Sequence, residues 1–482
     1  MPEYHTVSAV TLHPIPNDVN REDEEVEISD CESLASKNRG KGSDSDSIND
    51  DNDGIAEILG DEPPDGGRKA WLVVLASFLI HFVTFGITYS FGVFQLYYES
   101  TEFANGRATK AEIAFIGTVG FACIFCVGIF SGKLAEVFGY RKTVMVGSGM
   151  IVAGLVLSAF ATELWQLILT QGLLFGLGSS LVYFPGVSVP AQWWKKRRSF
   201  ATGIAVAGSG LGSLVVTPLS DVLLRQVGRK STLLITAGMA AGLLSVAIAC
   251  LHTRVLAGSA APEPKTLRGV MRKLVDLSQF RNPQFVPLLA GIFMNPFGYL
   301  VPFYFLPSYV KYIGLDASWG PNLLNIINAT SIVGRVLFGL VADRVGNINA
   351  LLVTIAFETI SCVGIWMWAS TPATLIVFCI VFGLFGGGFV SLMPSVSAQV
   401  CGVHNLAATI GLVYSALSVG HLAGPPLAAT LINTAIAPGT AGIPSGGYAG
   451  MIVLAGGATA VGFVAIAWLR WGVVGGRWNA RV

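Results

Sequence analysis

The fold is decided by a stretch that occurs twice, first as Gly132-Lys-Leu-Ala-Glu136-Val-Phe-Gly139-Tyr-Arg141-Lys142. It returns 207 residues later as Gly339-Leu-Val-Ala-Asp343-Arg-Val-Gly346-Asn347. Two proline-centred features repeat at nearly the same offset: Phe184-Pro185 with Met393-Pro394, and Pro218 with Pro425. Three matches at nearly one offset indicate an internal duplication, which in membrane proteins is typical of transporters.

Apolar runs surround both copies of the repeat, and twelve of them are long enough to cross a bilayer. A spanning helix needs about 20 predominantly apolar residues. The runs are rich in Gly and Ala, as expected of helices that pack closely within lipid. Their predicted bounds are 70–94, 111–131, 143–161, 164–189, 200–221, 231–252, 285–310, 319–341, 349–369, 372–397, 405–433 and 447–469.

The composition favours a membrane protein. Of 482 residues, 52% are hydrophobic and 12% are charged, whereas soluble domains carry about 25% charged residues. The net charge of +1 averages two different segments, because residues 1–68 hold 18 of the 29 acids. This acidic, Ser-rich segment has too few apolar residues to offset the entropy cost of ordering, so we predict a disordered tail.

The distribution of basic residues predicts the orientation in the membrane. With the N-terminus inside, 18 bases lie in cytoplasmic segments, six lie in outer segments and Arg335 lies within the membrane. Both termini are therefore expected in the cytosol, and no signal-peptide pattern opens the sequence. The outer bases Arg225, Arg229 and Lys230 are a local exception that this rule does not explain.

These observations predict an all-α membrane protein with twelve transmembrane helices in two pseudo-symmetric six-helix bundles. The expected order is a cytoplasmic tail, two six-helix halves joined by a cytoplasmic loop, and a short cytoplasmic C-terminal tail. The predicted bounds of these five segments are 1–68, 69–252, 253–284, 285–470 and 471–482.

The repeated loop resembles the signature of the major facilitator superfamily, with Ile348 in place of a base in the second copy. Two further stretches are similar to the monocarboxylate porter family, particularly its fungal members. They are Asp65-Gly66-Gly67 before Trp71, and Trp194-Lys195-Lys196-Arg197-Arg198 at the start of span 5. The resemblance covers about residues 65–470 and implies the fold of that superfamily, with secondary transport by alternating access. The bases after Trp194 also predict an interfacial anchor.

The signature loops are expected to act as a latch between the halves. Their glycines permit tight turns, and Glu136 can lie near a helix N-terminus or pair with Arg141. The resemblance implies that these contacts form only when the halves are closed on that side. The predicted gating residues are Gly132, Glu136, Gly139, Arg141, Asp343 and Gly346.

Arg335 is the main candidate for substrate binding, because a charge deep in a span is costly unless it is paired or faces water. In animal monocarboxylate porters an arginine of span 8 binds the substrate carboxylate, and the resemblance places Arg335 there. Two other charged positions of those relatives are occupied by Ser331 and Tyr89 here, which counts against lactate-like substrates. The alternative is a structural ion pair with Glu358, since both residues reach a similar depth.

Other polar residues in the spans are candidates for the cavity lining or for proton coupling. Tyr89, Asn295, Tyr299, Asn325 and Asn328 are predicted to line the substrate path, with interhelical hydrogen bonding as the alternative. The candidates for proton coupling are His81, Glu358 and His421, each of which has a purely structural alternative.

The sequence thus predicts a secondary transporter for a small, carboxylate-bearing organic solute; uptake of monocarboxylates and export of a secondary metabolite fit about equally well. The expected location is the plasma membrane, and the expected partners are the solute, coupling protons and the lipid bilayer. No enzyme activity, cofactor, metal, nucleic-acid partner or ATP site is predicted, because the required motifs are missing. The alternative function is a receptor-like nutrient sensor without net transport.

Overall fold

The computed structural model describes residues 63–103, 108, 110–254, 281–316, 318–402, 406–433, 436, 438–439, 442 and 444–474. The predicted tail up to residue 62, most of the central loop and the C-terminal tail lie outside these residues. All regular secondary structure in the described part of the chain is helical.

The first half contains six spanning helices. Helix α1 covers Arg68–Glu102, and α2 consists of Lys110–Cys126 and Gly128–Phe138, which are bent at their junction by 50°. Helices α3 and α4 cover Tyr140–Phe160 and Leu164–Trp193. A further helical run, Arg198–Cys250, is interrupted at Gly228, where φ is +74°. We therefore number its two parts α5, residues 198–227, and α6, residues 229–250.

The second half repeats this arrangement. Helix α7 comprises Phe285–Tyr299 and Val301–Tyr312, and α8 covers Trp319–Val345. Helix α9 runs over Asn347–Trp368, and α10 covers Pro372–Cys401. Helices α11 and α12 cover Leu406–Thr430 and Ala449–Val474. The prediction of an all-helical, twelve-span fold is confirmed.

The two signature loops lie on one face of the helical bundle, which we call the motif face; the opposite face is the far face. Helices α2 and α3 meet on the motif face at Gly139, and α8 and α9 meet there at Gly346. Both glycines have positive φ, +94° and +100°, which glycine adopts without steric cost. The duplicated glycine therefore makes the same tight turn in each half.

Small residues allow the helices to pack closely. Helix α5 lies against α1 so tightly that a Cβ added at Gly208 would come within 2.2 Å of the Phe78 carbonyl oxygen. At Gly212 the corresponding distance to the Phe82 oxygen is 2.3 Å. The glycines four residues apart on α5 thus form a groove for the α1 backbone.

Within the predicted interfacial anchor after α4, Trp194 is part of the protein interior, whereas Lys195, Lys196 and Arg197 are exposed. Trp194 is only 2% exposed, and its ring lies edge-on to Trp71 at a centroid distance of 5.1 Å. The Asp65 carboxylate accepts hydrogen bonds from the backbone N–H groups of Lys195 and Lys196, both at 2.6 Å. The two stretches that resemble monocarboxylate porters therefore hold the start of α1 against the α4–α5 turn.

Arg229, one of the three bases that the orientation rule does not explain, has a structural role. Arg229 pairs with Glu102 at 2.5 Å, and its other nitrogens donate to the carbonyl oxygens of Ser158 and Ala161 at the end of α3. The positive charge of Arg229 is also favourable at the C-terminus of α3, where the helix dipole is negative. Arg229 thus joins α1, α3 and α6. These contacts explain why a basic residue occurs in an outer segment, where the orientation rule disfavours one.

We expect Arg229→Ala to destabilise the protein by about 2–4 kcal/mol, because it leaves Glu102 and two carbonyl groups without their partner. Thermal unfolding of the purified protein in detergent measures this change. Arg225→Ala is the matched control: its side chain is 75% exposed and pairs only with Asp221, so its effect should stay below about 1 kcal/mol. Equal stability of the two variants would contradict the proposed role of Arg229.

Candidate functional site

A cavity lies between the two halves; the space free of protein atoms there is about 600 Å³, including space open to solvent. Its described lining comes from eight helices, α1, α2, α4 and α5 in the first half and α7, α8, α10 and α11 in the second. The first, second, fourth and fifth helices of each half contribute to the lining. The duplication therefore produces a central site with equivalent walls on both sides.

Arg335 reaches this cavity from α8 and is 4% exposed. Its Nη1 donates to the Val206 carbonyl oxygen at 3.2 Å and to the Ser209 hydroxyl, both on α5. Its Nε has no hydrogen-bond partner. Within the described part of the chain, no carboxylate lies at ion-pair distance from the guanidinium.

The predicted alternative, an ion pair between Arg335 and Glu358, is therefore wrong. Glu358 is fully buried and accepts a hydrogen bond from Asn295 Nδ2 at 2.9 Å. Equal depth in two adjacent helices does not require the side chains to face one another. Arg335 points toward α5 in the other half, whereas Glu358 points toward α7 in its own half.

Aromatic rings make up much of the wall. The Phe125 and Tyr414 rings come from opposite halves and stack at a centroid distance of 6.1 Å with planes 26° apart. Tyr183 lies edge-on to Phe85 at 5.1 Å. Such a wall offers ring faces and edges to a flat apolar ligand. The aromatic lining residues are Phe85, Tyr89, Phe121, Phe125, Tyr183, Tyr299, Phe389 and Tyr414.

The predicted polar lining is found in part. Tyr89, Asn295 and Tyr299 line the cavity. Asn328 does not, because it lies seven residues before Arg335 on α8, about 10 Å further toward the far face. Asn325 is exposed and also lies outside the lining.

The three candidates for proton coupling occupy different environments. His81 lines the cavity, and its Nδ1 is 2.7 Å from the Ser77 carbonyl oxygen. His421 also lines it, with its ring 5.3 Å from Phe121 and 5.4 Å from Phe125. Glu358 lies outside the lining and reaches the cavity only through Asn295.

The sequence analysis missed Ser209 and most of the aromatic wall. One available signal was the spacing of four between Phe85 and Tyr89, and between Phe121 and Phe125, which places each pair on one helix face. The spacing does not say whether that face meets lipid, another helix or a cavity. Only the arrangement of the helices brings these pairs together.

Below the cavity, on the motif face, each signature acid contacts the opposite half. Glu136 Oε1 accepts from the Ala408 backbone N–H at 3.0 Å, at the start of α11. Asp343 accepts from the N–H groups of Ser199 and Phe200 at 3.0 and 2.9 Å, at the start of α5. Free N–H groups at a helix N-terminus are favourable partners for carboxylates.

Glycines permit this approach of the two halves. A Cβ at Gly132 would come within 2.1 Å of the Ala407 carbonyl oxygen, and one at Gly339 within 2.5 Å of the Ser199 oxygen. Both positions belong to the repeated signature. Arg141, by contrast, is exposed and makes no ion pair with a described residue. The predicted pairing of Glu136 with Arg141 is thus replaced by the contact with α11.

No group of three or more potential metal ligands occurs among the described residues. The cavity therefore offers one guanidinium, a few neutral polar groups and aromatic rings. This arrangement can hold an organic anion between its rings and its cation.

Comparison with known proteins identifies the family. Residues 73–425 match the profile of the Major Facilitator Superfamily. The chain is 33% identical to the MFS-type transporter pynF of Aspergillus niger over 77% of its own length and 83% of that protein. It is also 33% identical to the agnestins efflux protein AgnL12 of Paecilomyces divaricatus, covering 76% and 82% of the two chains.

Solved structures show the same fold. The human organic anion transporter MFSD10 superposes with a TM-score of 0.66 at 14% identity, over 84% of this chain and 100% of that one. The Escherichia coli fucose:proton symporter FucP gives 0.65 at 14% identity, over 83% and 99%. With its duplicated signature and its cavity between two six-helix halves, the chain belongs to the Major Facilitator Superfamily.

Proposed function

We propose that this protein exports an aromatic, carboxylate-bearing secondary metabolite across the plasma membrane by alternating access, with its motif face in the cytosol. The observation that carries the proposal is Arg335, a buried cation that faces an aromatic cavity and has no described carboxylate partner. A cation at this depth is costly unless a counter-charge is present during the transport cycle. A bound organic anion supplies that charge.

The chemistry of arginine favours a carboxylate. A guanidinium stays charged and can hold a carboxylate through two parallel hydrogen bonds. The bonds to Val206 and Ser209 both use Nη1, and Nε has no hydrogen-bond partner, so Nε remains for the ligand. This geometry suits an anion approaching from the cavity side.

The aromatic wall favours a flat, conjugated solute. The Phe125 and Tyr414 rings lie on opposite halves, so a ring bound beside them contacts both halves at once. Small aliphatic acids such as lactate would leave most of this wall without contact. The substitution of Tyr89 and Ser331 for the charged residues of lactate carriers agrees with a larger, less polar solute.

The direction of transport is supported by the relatives. AgnL12 is named as an efflux protein for agnestins, and a protein 31% identical over 372 residues is named as the aspyridones efflux protein apdF of Emericella nidulans. These names favour export over the uptake that resemblance to monocarboxylate porters suggested. Human MFSD10, which shares this fold, is named as an organic anion transporter, so the fold accommodates anionic solutes.

The signature contacts serve as the gate on the motif face. Glu136 and Asp343 link the halves below the cavity through three hydrogen bonds, and all three must break before the cavity opens on that face. With the motif face in the cytosol, this is the state closed toward the cytosol. Loss of either contact shifts the balance between the two access states without changing the solute site.

Binding of 2-naphthoate to the purified protein tests the solute site. We expect Arg335→Gln to weaken binding by at least about tenfold, because a charge-assisted pair is lost. Binding of the neutral analogue 2-naphthylmethanol should not change in the same variant. Arg225→Gln is the control, since Arg225 is exposed and far from the cavity. Equal binding of the carboxylate to Arg335→Gln and wild type would overturn the proposed contact.

Transport in reconstituted vesicles separates a carrier from a sensor. Labelled 2-naphthoate should exchange across the membrane in the wild-type protein. A nutrient sensor would bind the probe without moving it, which would contradict the proposed function.

The aromatic wall generates its own prediction. Phe125→Leu should weaken 2-naphthoate binding roughly three- to tenfold through the loss of ring contacts. Phe115→Leu on the same helix is the matched control, because Phe115 is 55% exposed and outside the cavity lining. A larger effect of the control than of Phe125→Leu would contradict a stacking role.

The gate is tested by hydrogen–deuterium exchange with mass spectrometry. Asp343→Asn should speed amide exchange at the start of α5, and also at the start of α11, because both contacts close the same gap. Glu136→Gln should give the same pattern. Faster exchange confined to the directly affected helix in both variants would show that the two contacts do not act as one gate.

A further inference from the structure

Glu358 and Asn295 form a buried pair that has more hydrogen-bond acceptors than donors. Both side chains are fully buried, and Asn295 Nδ2 donates to Glu358 Oε2 at 2.9 Å. The remaining oxygen of Glu358, Oε1, and the amide oxygen of Asn295, Oδ1, have no hydrogen-bond partner. Two buried acceptors without a donor cost several kcal/mol.

A single proton removes this deficit. A carboxylic acid and a primary amide can form two hydrogen bonds, in which the amide N–H donates to one acid oxygen and the acid O–H donates to the amide oxygen. Protonation at Glu358 Oε1 supplies the missing donor for Asn295 Oδ1. Exchanging the amide O and N of Asn295 would place two acceptors together and would require the proton equally.

The surroundings offer no other compensation for a carboxylate. Three groups interact with Glu358: Asn295 and the Tyr299 phenol of α7, and the Cys362 thiol of its own helix. Gly462 of α12 lies beside Asn295. Among the described residues, α8, α10 and α12 place no Lys, Arg or His at ion-pair distance, since Arg335 of α8 points to Ser209.

Asn295 connects this pair to the solute cavity. It lines the cavity together with its neighbour Pro296 and with Tyr299, one turn further along α7. When Glu358 loses its proton, Oε1 and Asn295 Oδ1 are two acceptors without a donor, and a movement of the Asn295 side chain that relieves this deficit changes the cavity wall. Proton and solute binding are then linked in free energy.

We propose that Glu358 is the proton-binding site of the transport cycle and that Asn295 transmits its protonation state to the cavity. The proposal rests on the proposed function, because it assumes that the cavity holds the transported solute. The proton comes from water and forms the Oε1–H bond; its release regenerates the carboxylate. Each transport cycle thereby binds and releases one proton at Glu358.

Infrared spectroscopy of the reconstituted full chain tests the protonation state without any solute. We expect a carbonyl stretching band of a buried protonated carboxylic acid at neutral pH, which Glu358→Gln removes and the control Asp221→Asn leaves in place. Asn295→Ala should retain the band at a shifted frequency, because the acid loses its amide partner. A wild-type spectrum without this band would overturn the proposal, as would its persistence in Glu358→Gln.

Transport of labelled 2-naphthoate tests the coupling. In wild-type vesicles a pH gradient should drive accumulation of the probe. Glu358→Gln should lose this accumulation while still exchanging the probe at equal pH, because glutamine imitates the protonated acid permanently. Accumulation by Glu358→Gln at the wild-type level would overturn the coupling. Failure of the wild type to move the probe would instead contradict the proposed function, and the infrared result would remain independent of it.

Discussion

Two carboxylates, one from each half, form hydrogen bonds with the opposite half and thereby hold the two halves together on the motif face. Glu136 of the first half contacts the start of α11, and Asp343 of the second half contacts the start of α5. Each bond joins an acid to the unpaired N–H groups of a helix N-terminus, where a carboxylate is favourable. Because the two contacts are related by the internal repeat, they close the motif face on both sides of the cavity together.

These contacts depend on the absence of side chains at the interface. Gly132 and Gly339 allow a helix from each half to approach a backbone carbonyl of the other, and any larger residue would separate the acids from their partners. Lipid provides no hydrophobic force between helices, so close backbone packing must supply the stability. The same glycines therefore serve packing and bring together the contacts proposed to act as the gate.

The few charges inside the bundle have distinct roles. Arg229 joins three helices on the far face, where each of its three nitrogens donates a hydrogen bond. Arg335 is held by α5 but keeps part of its guanidinium toward the cavity. Glu358 lies one layer behind the wall, beside Asn295. Arg229 thus has a structural role, whereas Arg335 and Glu358 are the residues proposed for solute binding and proton binding.

Much of the fold could be predicted from residue patterns, but the site only in part. The length of the apolar runs and the repeated signature predicted twelve helices, and the depth of Arg335 identified it as a candidate contact. The pairing of Arg335 with Glu358 was wrong, and Asn328 lies outside the cavity. The first error arose because depth along a helix is a property of the sequence, whereas the direction a side chain faces depends on its neighbours. The second arose because the sequence does not give the height of the cavity along α8.

The sequence by itself determined the helices, their internal repeat and the positions of the signature turns, because apolar length and glycine placement act locally. Only the tertiary structure decided which aromatic rings line one cavity, which helix N-termini meet Glu136 and Asp343, and which polar group faces Glu358. These outcomes depend on contacts between residues more than 60 positions apart. The contacts of Glu136 and Asp343 exist only when the two halves pack against each other, and the contact of Glu358 with Asn295 exists only when α7 and α9 pack within the second half.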